Sequence, residues 1–256
     1  MRLMLPREHG VYGQLLLPLA TVLLVGRPTV PAFALVATGV FAFLAHEPLL
    51  VVLRRRGLRA SREHNRRAWR LLIQRVVLSL LAATIAIARM PSEWRLTLFA
   101  PVVFAGGVGV IIALNCERTI GGEMLTASTF SSLAFPTALA AGSTLDAAIT
   151  CTAAFAASFA AATASVRTII TSTRQPPATR ARVIAGTSVL LSLALLVVLA
   201  QVGLMRVVGV WAVLPSCGAA LAFVVWPPRA IHLRTVGWTL VIGSSSTAVV
   251  LVSGLR

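Results

Sequence analysis

The stretch VIAGTSVLLSLALLVVLAQVGL, Val183–Leu204, contains neither acid nor base, and it decides the fold class. The hydrocarbon core of a bilayer asks for roughly 20 consecutive, mostly apolar residues in a helix. Lipid offers the backbone no water, so a segment that satisfies its own N–H and C=O groups is the natural form there. Comparable stretches recur on both sides of this one. The sequence predicts spans at about Pro6–Val25, Pro31–Leu53, Trp69–Ala88, Arg95–Asn115, Met124–Ala141, Asp146–Ser165, Val183–Leu204, Val207–Val225 and Ile231–Val252. The expected fold is all-α, a polytopic transmembrane helical bundle of about nine spans that forms one domain over residues 1–256. The first span is short, and the fifth and sixth are rich in Ala, Ser and Thr rather than Leu.

Composition points the same way. Of the 256 residues, 57% are hydrophobic, more than a soluble chain of this length has interior to bury. The net charge of +16 raises the question of nucleic acid. The charge sits in short clusters between apolar stretches, however, as in loops that face an anionic leaflet. Membrane lipids are therefore expected partners and nucleic acid is not. All 23 basic residues are Arg. With the N-terminus cytoplasmic, seventeen of them fall in inner segments and five (Arg27, Arg89, Arg95, Arg206 and Arg256) in outer ones, with Arg75 inside the third span. Basic residues favour the cytoplasmic side, and the asymmetry calls for an odd number of spans.

The first 25 residues imitate a signal peptide, with Arg2 and Arg7 before an apolar run. Glu8 and His9 ahead of that run, and the many later spans, favour a retained helix. Cys116, Cys151 and Cys217 are odd in number and far apart, and predict neither a disulfide framework nor a thiolate metal site. Trp69, Trp94 and Trp226 fall at expected helix ends, where an indole suits the interface. Small residues at Ala153, Ala157, Ala161 and Ser165 make a ridge along the sixth span, and Gly106, Gly107 and Gly109 a similar surface on the fourth. These surfaces place spans four to six in the middle of the bundle.

Sorting ionisable groups by side is more informative. All four histidines (His9, His46, His64 and His232) fall on the inner side, with Glu8, Glu47, Glu63, Glu117 and Glu123, while only Glu93 and Asp146 lie outside. Charges near lipid are costly and usually face a cavity or a partner. Glu8 and His9 precede an apolar run of only 15 residues, which draws them into the bundle mouth; a plainer role for Glu8 is to complement the first helical turn after Pro6. His46 and Glu47 end the second span before Pro48, with Leu49–Leu53 still apolar, so Glu47 needs a partner, and Arg75 is the obvious one. That pair reads equally as a register-fixing ion pair or as part of a site.

Asn115, Glu117 and Glu123 link the fourth and fifth spans, with Gly121 and Gly122 allowing the backbone to turn both carboxylates to one locus. Such oxygen donors would suit Mg²⁺ completed by water and phosphate. Arg118, Arg167 and Arg174 lie on the same side. Arginine clusters facing carboxylates are what a phosphate or diphosphate requires, although any single one also serves as a cytoplasmic anchor.

Three stretches resemble the YwiC-like family of bacterial membrane proteins: Pro6-Arg7-Glu8-His9-Gly10, then Glu117-Arg118-Thr119 with Glu123, then Leu133-Ala134-Phe135-Pro136 leading to Ala140-Ala141-Gly142. Members of that family open with a P-x-E-H-G-A-W-like string, from which Val11-Tyr12 departs. The resemblance covers about the first 145 residues and implies a multi-pass protein of the bacterial cytoplasmic (inner) membrane and candidate residues, but no reaction. In architecture the chain is more distantly similar to UbiA-type intramembrane prenyltransferases, which bind prenyl diphosphates through Mg²⁺ on two Asp-rich motifs. Its only aspartate, Asp146, lies on the wrong side for that pattern.

The leading expectation is an enzyme or binder for a lipid or isoprenoid phosphate or diphosphate at the cytoplasmic face. In it Arg75, Arg118, Arg167 and Arg174 hold the substrate, Asn115, Glu117 and Glu123 hold Mg²⁺, and Glu8, His9, His46 and Glu47 do any catalytic work. A transporter is the second reading, from Pro136 among the hydroxyls of the fifth span. An assembly subunit is the third, with His9 and His46 as haem ligands in one version.

Overall fold

A computed structural model describes residues 9–114, 116, 119–174 and 179–256; for 9, 58–61, 120, 173, 174 and 230 only the backbone is described. Among these residues there are nine α-helices and no strand: α1 (His9–Val25), α2 (Val30–Val52), α3 (Leu58–Arg89), α4 (Phe99–Ala113), α5 (Ile120–Ala140), α6 (Leu145–Arg174), α7 (Thr179–Gln201), α8 (Val208–Val225) and α9 (Leu233–Leu255). A 3-10 turn over Ser92–Leu98 leads into α4. Each helix overlaps one expected span. Seven segments, in the regions of α2, α3, α4, α6, α7, α8 and α9, are long and apolar enough to cross a membrane, and α1 is apolar but shorter.

Helix α5 falls outside that set because of its hydroxyls, and the structure shows how it accommodates them. Thr126, Thr129, Ser131 and Thr137 each donate to the carbonyl four residues back, at 2.9, 2.8, 3.0 and 2.7 Å. The helix is also shielded, packing against α1, α2, α4 and α6. Its neighbour α6 is the most buried span and touches α1, α5, α7, α8 and α9. The α6 ridge is a packing surface as expected: Ala157, Ala161 and Ser165 are buried, beside the fully buried Phe155 and Phe159. The expectation that the fourth span shares this centre is not met. The Ser92–Ala113 segment is the least buried span, and a side chain added at Gly106 or Gly109 would meet open space. Small residues permit close packing only where another helix lies over them.

The largest departure from the expected boundaries is α3, which begins at Leu58 rather than Trp69. The arginine-rich stretch after Gly57 holds no Pro or further Gly, and Arg is a good helix former. A helix nucleated by the apolar span therefore propagates outward through it. Helix α6 likewise runs past Ser165 to Arg174.

Helix α3 faces α2 through Ala68, Arg75, Ala82 and Ala86, all buried. One element of this contact follows from covalent chemistry. Pro48 lies inside α2 and has no N–H for the carbonyl of Leu44, four residues back. The Arg75 guanidinium donates to that carbonyl. Four residues further along α3, the Ser79 hydroxyl donates to the Thr38 carbonyl at 3.0 Å. A carbonyl bare in hydrocarbon is expensive, so the proline in one helix and the arginine in the other form a single device.

The helix ends sort into two groups. At one end Arg27 N donates to Ala141 O (2.7 Å), Thr29 Oγ1 to Ala140 O (2.6 Å), Arg206 Nε to Asp146 Oδ2 (2.6 Å) and Arg256 Nε to Leu24 O (2.8 Å). Gly26 is required there, since a Cβ would lie 2.7 Å from the Ala141 oxygen. The opposite end gathers Glu47, Arg55, Arg56, Glu123 and Arg167. Alternate segments of the sequence thus collect at opposite ends of the bundle.

The Pro48–Arg75 device predicts a coupling. Arg75→Leu should destabilise the protein by about 1–3 kcal/mol, the cost of an unsatisfied buried acceptor. In a Pro48→Ala background, where residue 48 supplies the N–H, the same substitution should cost clearly less. Equal losses in both backgrounds, measured by unfolding in detergent, would mean that Arg75 acts in some other way.

Candidate functional site

The site grows from the end of α2. Leu53 closes the helix, and Arg54 follows in the left-handed region at φ 60°. Arg55 N then donates to Leu50 O (2.8 Å) and Arg54 N to Val51 O (3.1 Å), the paired bonds of a Schellman turn. The same turn ends α5 at Gly142 (φ 75°) and α7 at Gly203 (φ 74°), where glycine takes the strained position. A non-glycine residue there costs roughly 1–2 kcal/mol, so at Arg54 the chain keeps an arginine where glycine would fit better. The turn sets the direction of the next two residues. Arg55 Nη2 reaches the Ala113 carbonyl at the end of α4 (2.5 Å). Arg56 folds back on Glu47, Nε to Oε1 at 2.9 Å and Nη2 to Oε2 at 2.6 Å.

The partner of Glu47 is thus Arg56, a loop arginine, where the sequence points to Arg75. Arg75 points from α3 at the carbonyl of Leu44, one turn before Pro48. The Tyr12 ring meets Phe43 edge-on at 5.0 Å, and Phe43 meets Phe130 of α5 at 5.7 Å. This aromatic chain braces α1, α2 and α5. His46 is half-buried on α2 beside Glu47.

A second pair joins α5 to α6. Thr119 caps α5, its Oγ1 accepting from Gly122 N at 3.1 Å and donating to Cys116 O at 2.7 Å. The helix therefore starts at Ile120, and Gly121 and Gly122 lie in its first turn instead of bending the backbone. Glu123 sits in that turn, where the helix dipole favours an acid. Arg167 grips it as a fork, Nε to Oε2 at 2.7 Å and Nη2 to Oε1. Two residues assigned separately by the sequence, one to a metal and one to a phosphate, are partners of each other.

Glu8, Asn115, Glu117 and Arg118 lie outside the described residues, as do the side chains of His9, which opens α1, and Arg174, which ends α6. Among the described residues no three of His, Cys, Asp and Glu group as metal ligands. Of the Mg²⁺ set only Glu123 is described, with both oxygens on Arg167. Sequence reading overlooked Arg55, Arg56 and Tyr12. The signal for Tyr12 is present, because it stands where the family string carries Trp.

The two ion pairs differ in exposure. The Glu47 side chain is 9% exposed and Arg56 30%, whereas Glu123 is 41% exposed and Arg167 22%. Removing a partner from a buried pair strands a charge, and surface pairs contribute little. Glu47→Gln should therefore cost about 1–3 kcal/mol in detergent unfolding, tempered by the solvent at Arg56. Glu123→Gln should cost less than about 1 kcal/mol. The reverse order would contradict this assignment of a structural pair and an open one.

The family comparison covers part of this site. A model described as YwiC-like protein matches residues 5–138, from before α1 almost to the end of α5. No curated protein and no solved structure matches the chain, and the likeness to UbiA-type enzymes stays an analogy of helix number. The matched region holds Tyr12, His46, Glu47, Arg56, Arg75 and Glu123, and leaves Arg167 outside it. On that match, which spans more than half of its length, the chain belongs to the YwiC-like family of multi-pass membrane proteins.

Proposed function

We propose that the arginine-rich end of the bundle faces the bacterial cytoplasm and binds a lipid or isoprenoid that carries a phosphate or diphosphate. The seventeen-to-five division of arginines supports the orientation. The observation that carries the ligand class is the open fork of Arg167 on Glu123. A carboxylate and a phosphate offer a guanidinium the same two parallel hydrogen bonds. Glu123 is the more exposed partner, so an incoming phosphate displaces it with little loss of packing. Arg118 and Arg174 add charge on the same side of the sequence map. The Glu47–Arg56 pair and Arg75 then act as the wall that holds α2 and α3 in place. His9 and His46 are the groups available for proton exchange. Mg²⁺ belongs to this reading through the oxygen donors Asn115, Glu117 and a released Glu123.

A transporter is the second reading, favoured by prolines inside α1, α2, α5 and α8 (Pro18, Pro48, Pro136 and Pro215). Broken helices are common around transport sites.

Native mass spectrometry of the detergent-purified protein with a prenyl diphosphate and Mg²⁺ separates these readings. Binding by the wild type that Arg167→Gln abolishes and Arg206→Gln at the opposite end preserves is the expected result. A mass unchanged by the added ligand, with solute uptake into proteoliposomes, would shift the reading to transport.

A further inference from the structure

The outward face of α3 changes character along its axis. At 100° per residue, positions 62, 66, 69, 73, 77 and 80 lie on one stripe, directly opposite the buried Ala68, Arg75 and Ala82. The stripe reads Arg62, Arg66, Trp69, Ile73, Val77 and Leu80, and each of these residues is exposed. Its aliphatic part is bare of any neighbouring helix, with Ile73 57%, Val77 47% and Leu80 62% exposed. Arg62, Arg66 and the adjacent Arg70 form no ion pair among the described residues.

Length matters here. A helix of 32 residues is roughly 48 Å long against a hydrocarbon core of about 30 Å. With the aliphatic part in hydrocarbon, Trp69 sits at the interface and Arg66 and Arg62 continue into the headgroup layer on a rigid helix. A flexible loop would scatter the same charges. The helix instead fixes guanidinium groups about 5–10 Å beyond the indole, in line with the aliphatic stripe along which an acyl chain would lie.

We infer that this stripe is a seat for an anionic phospholipid, with the phosphate on Arg62 and Arg66, the glycerol region at Trp69 and an acyl chain along Ile73, Val77 and Leu80. The argument for a lipid over a protein or nucleic acid is the order of chemistry along one face: cation, indole, hydrocarbon. Nucleic acid has no use for the lower half, and a soluble protein partner has no access to it within the hydrocarbon. The seat lies on the outside of α3 and does not depend on the ligand proposed for Arg167.

The full chain is reconstituted with mixtures of phosphatidylglycerol and phosphatidylcholine, and retained lipid is counted by native mass spectrometry. The Arg62→Gln/Arg66→Gln variant should lose phosphatidylglycerol by about thirtyfold, about a kcal/mol being the worth of each of the two surface arginines near an anionic leaflet. Arg180→Gln/Arg182→Gln removes the same charge from the start of α7, where both arginines are exposed, and should retain the lipid. Equal loss in the two variants would overturn the inference in favour of unspecific charge. Loss on Arg167→Gln alone would place the lipid at the mouth and overturn it too. Equal retention of the two lipids, or displacement by a short RNA, would have the same consequence.

Discussion

One constraint governs this bundle: hydrocarbon offers no hydrogen bonds, so a polar group sent into it is costly unless it is met from within the protein. Pro48 shows the constraint most directly. It removes one N–H from the second helix and leaves the Leu44 carbonyl without its usual donor, and the third helix supplies Arg75 to meet it. The hydroxyls of α5 answer the same demand locally by bonding to the preceding turn. The buried Thr247 does so both within its helix and across to Ala212 of α8.

The constraint also explains why charge collects where it does. The described ion pairs all lie at helix ends: Glu47–Arg56 and Glu123–Arg167 at the arginine-rich end, Asp146–Arg206 at the other. Between them the bundle is closed by apolar packing around α5 and α6. A phosphate-bearing lipid fits this plan because its headgroup belongs at the charged end and its tail belongs in the hydrocarbon. The family match covers the α1–α5 half that holds Tyr12, Glu47 and Arg75, while Arg167 enters from the later half.

Much of the fold was legible because hydropathy and charge are local properties. Each span overlaps its expected position, and the five outer arginines announced the end at which Arg206 and Arg256 now anchor loops. What was not legible depends on geometry that a pattern does not carry. Arg56 reaches Glu47 only because Arg54 adopts a left-handed turn, a conformation that an arginine codon does not advertise. The glycines at 121 and 122 looked like a bend, but Thr119 caps the helix ahead of them and holds them inside it. The α3 extension was hidden by its polarity, since helix propensity and hydrophobicity are different things. Glu47 was recognised as needing a partner and Arg75 was offered to it; the carbonyl orphaned by Pro48 was the clue that went uncounted.

The account rests on the arginine-rich end lying in the cytoplasm, with an odd number of crossings between the two termini. The chain carries its own probe, because Cys116 is exposed at that end while Cys151 and Cys217 are buried. A membrane-impermeant maleimide applied to intact cells and to inverted vesicles reads the side of Cys116 without any substitution. The orientation predicts labelling in inverted vesicles alone. Labelling of Cys116 from outside intact cells would reverse the molecule and remove the cytoplasmic site.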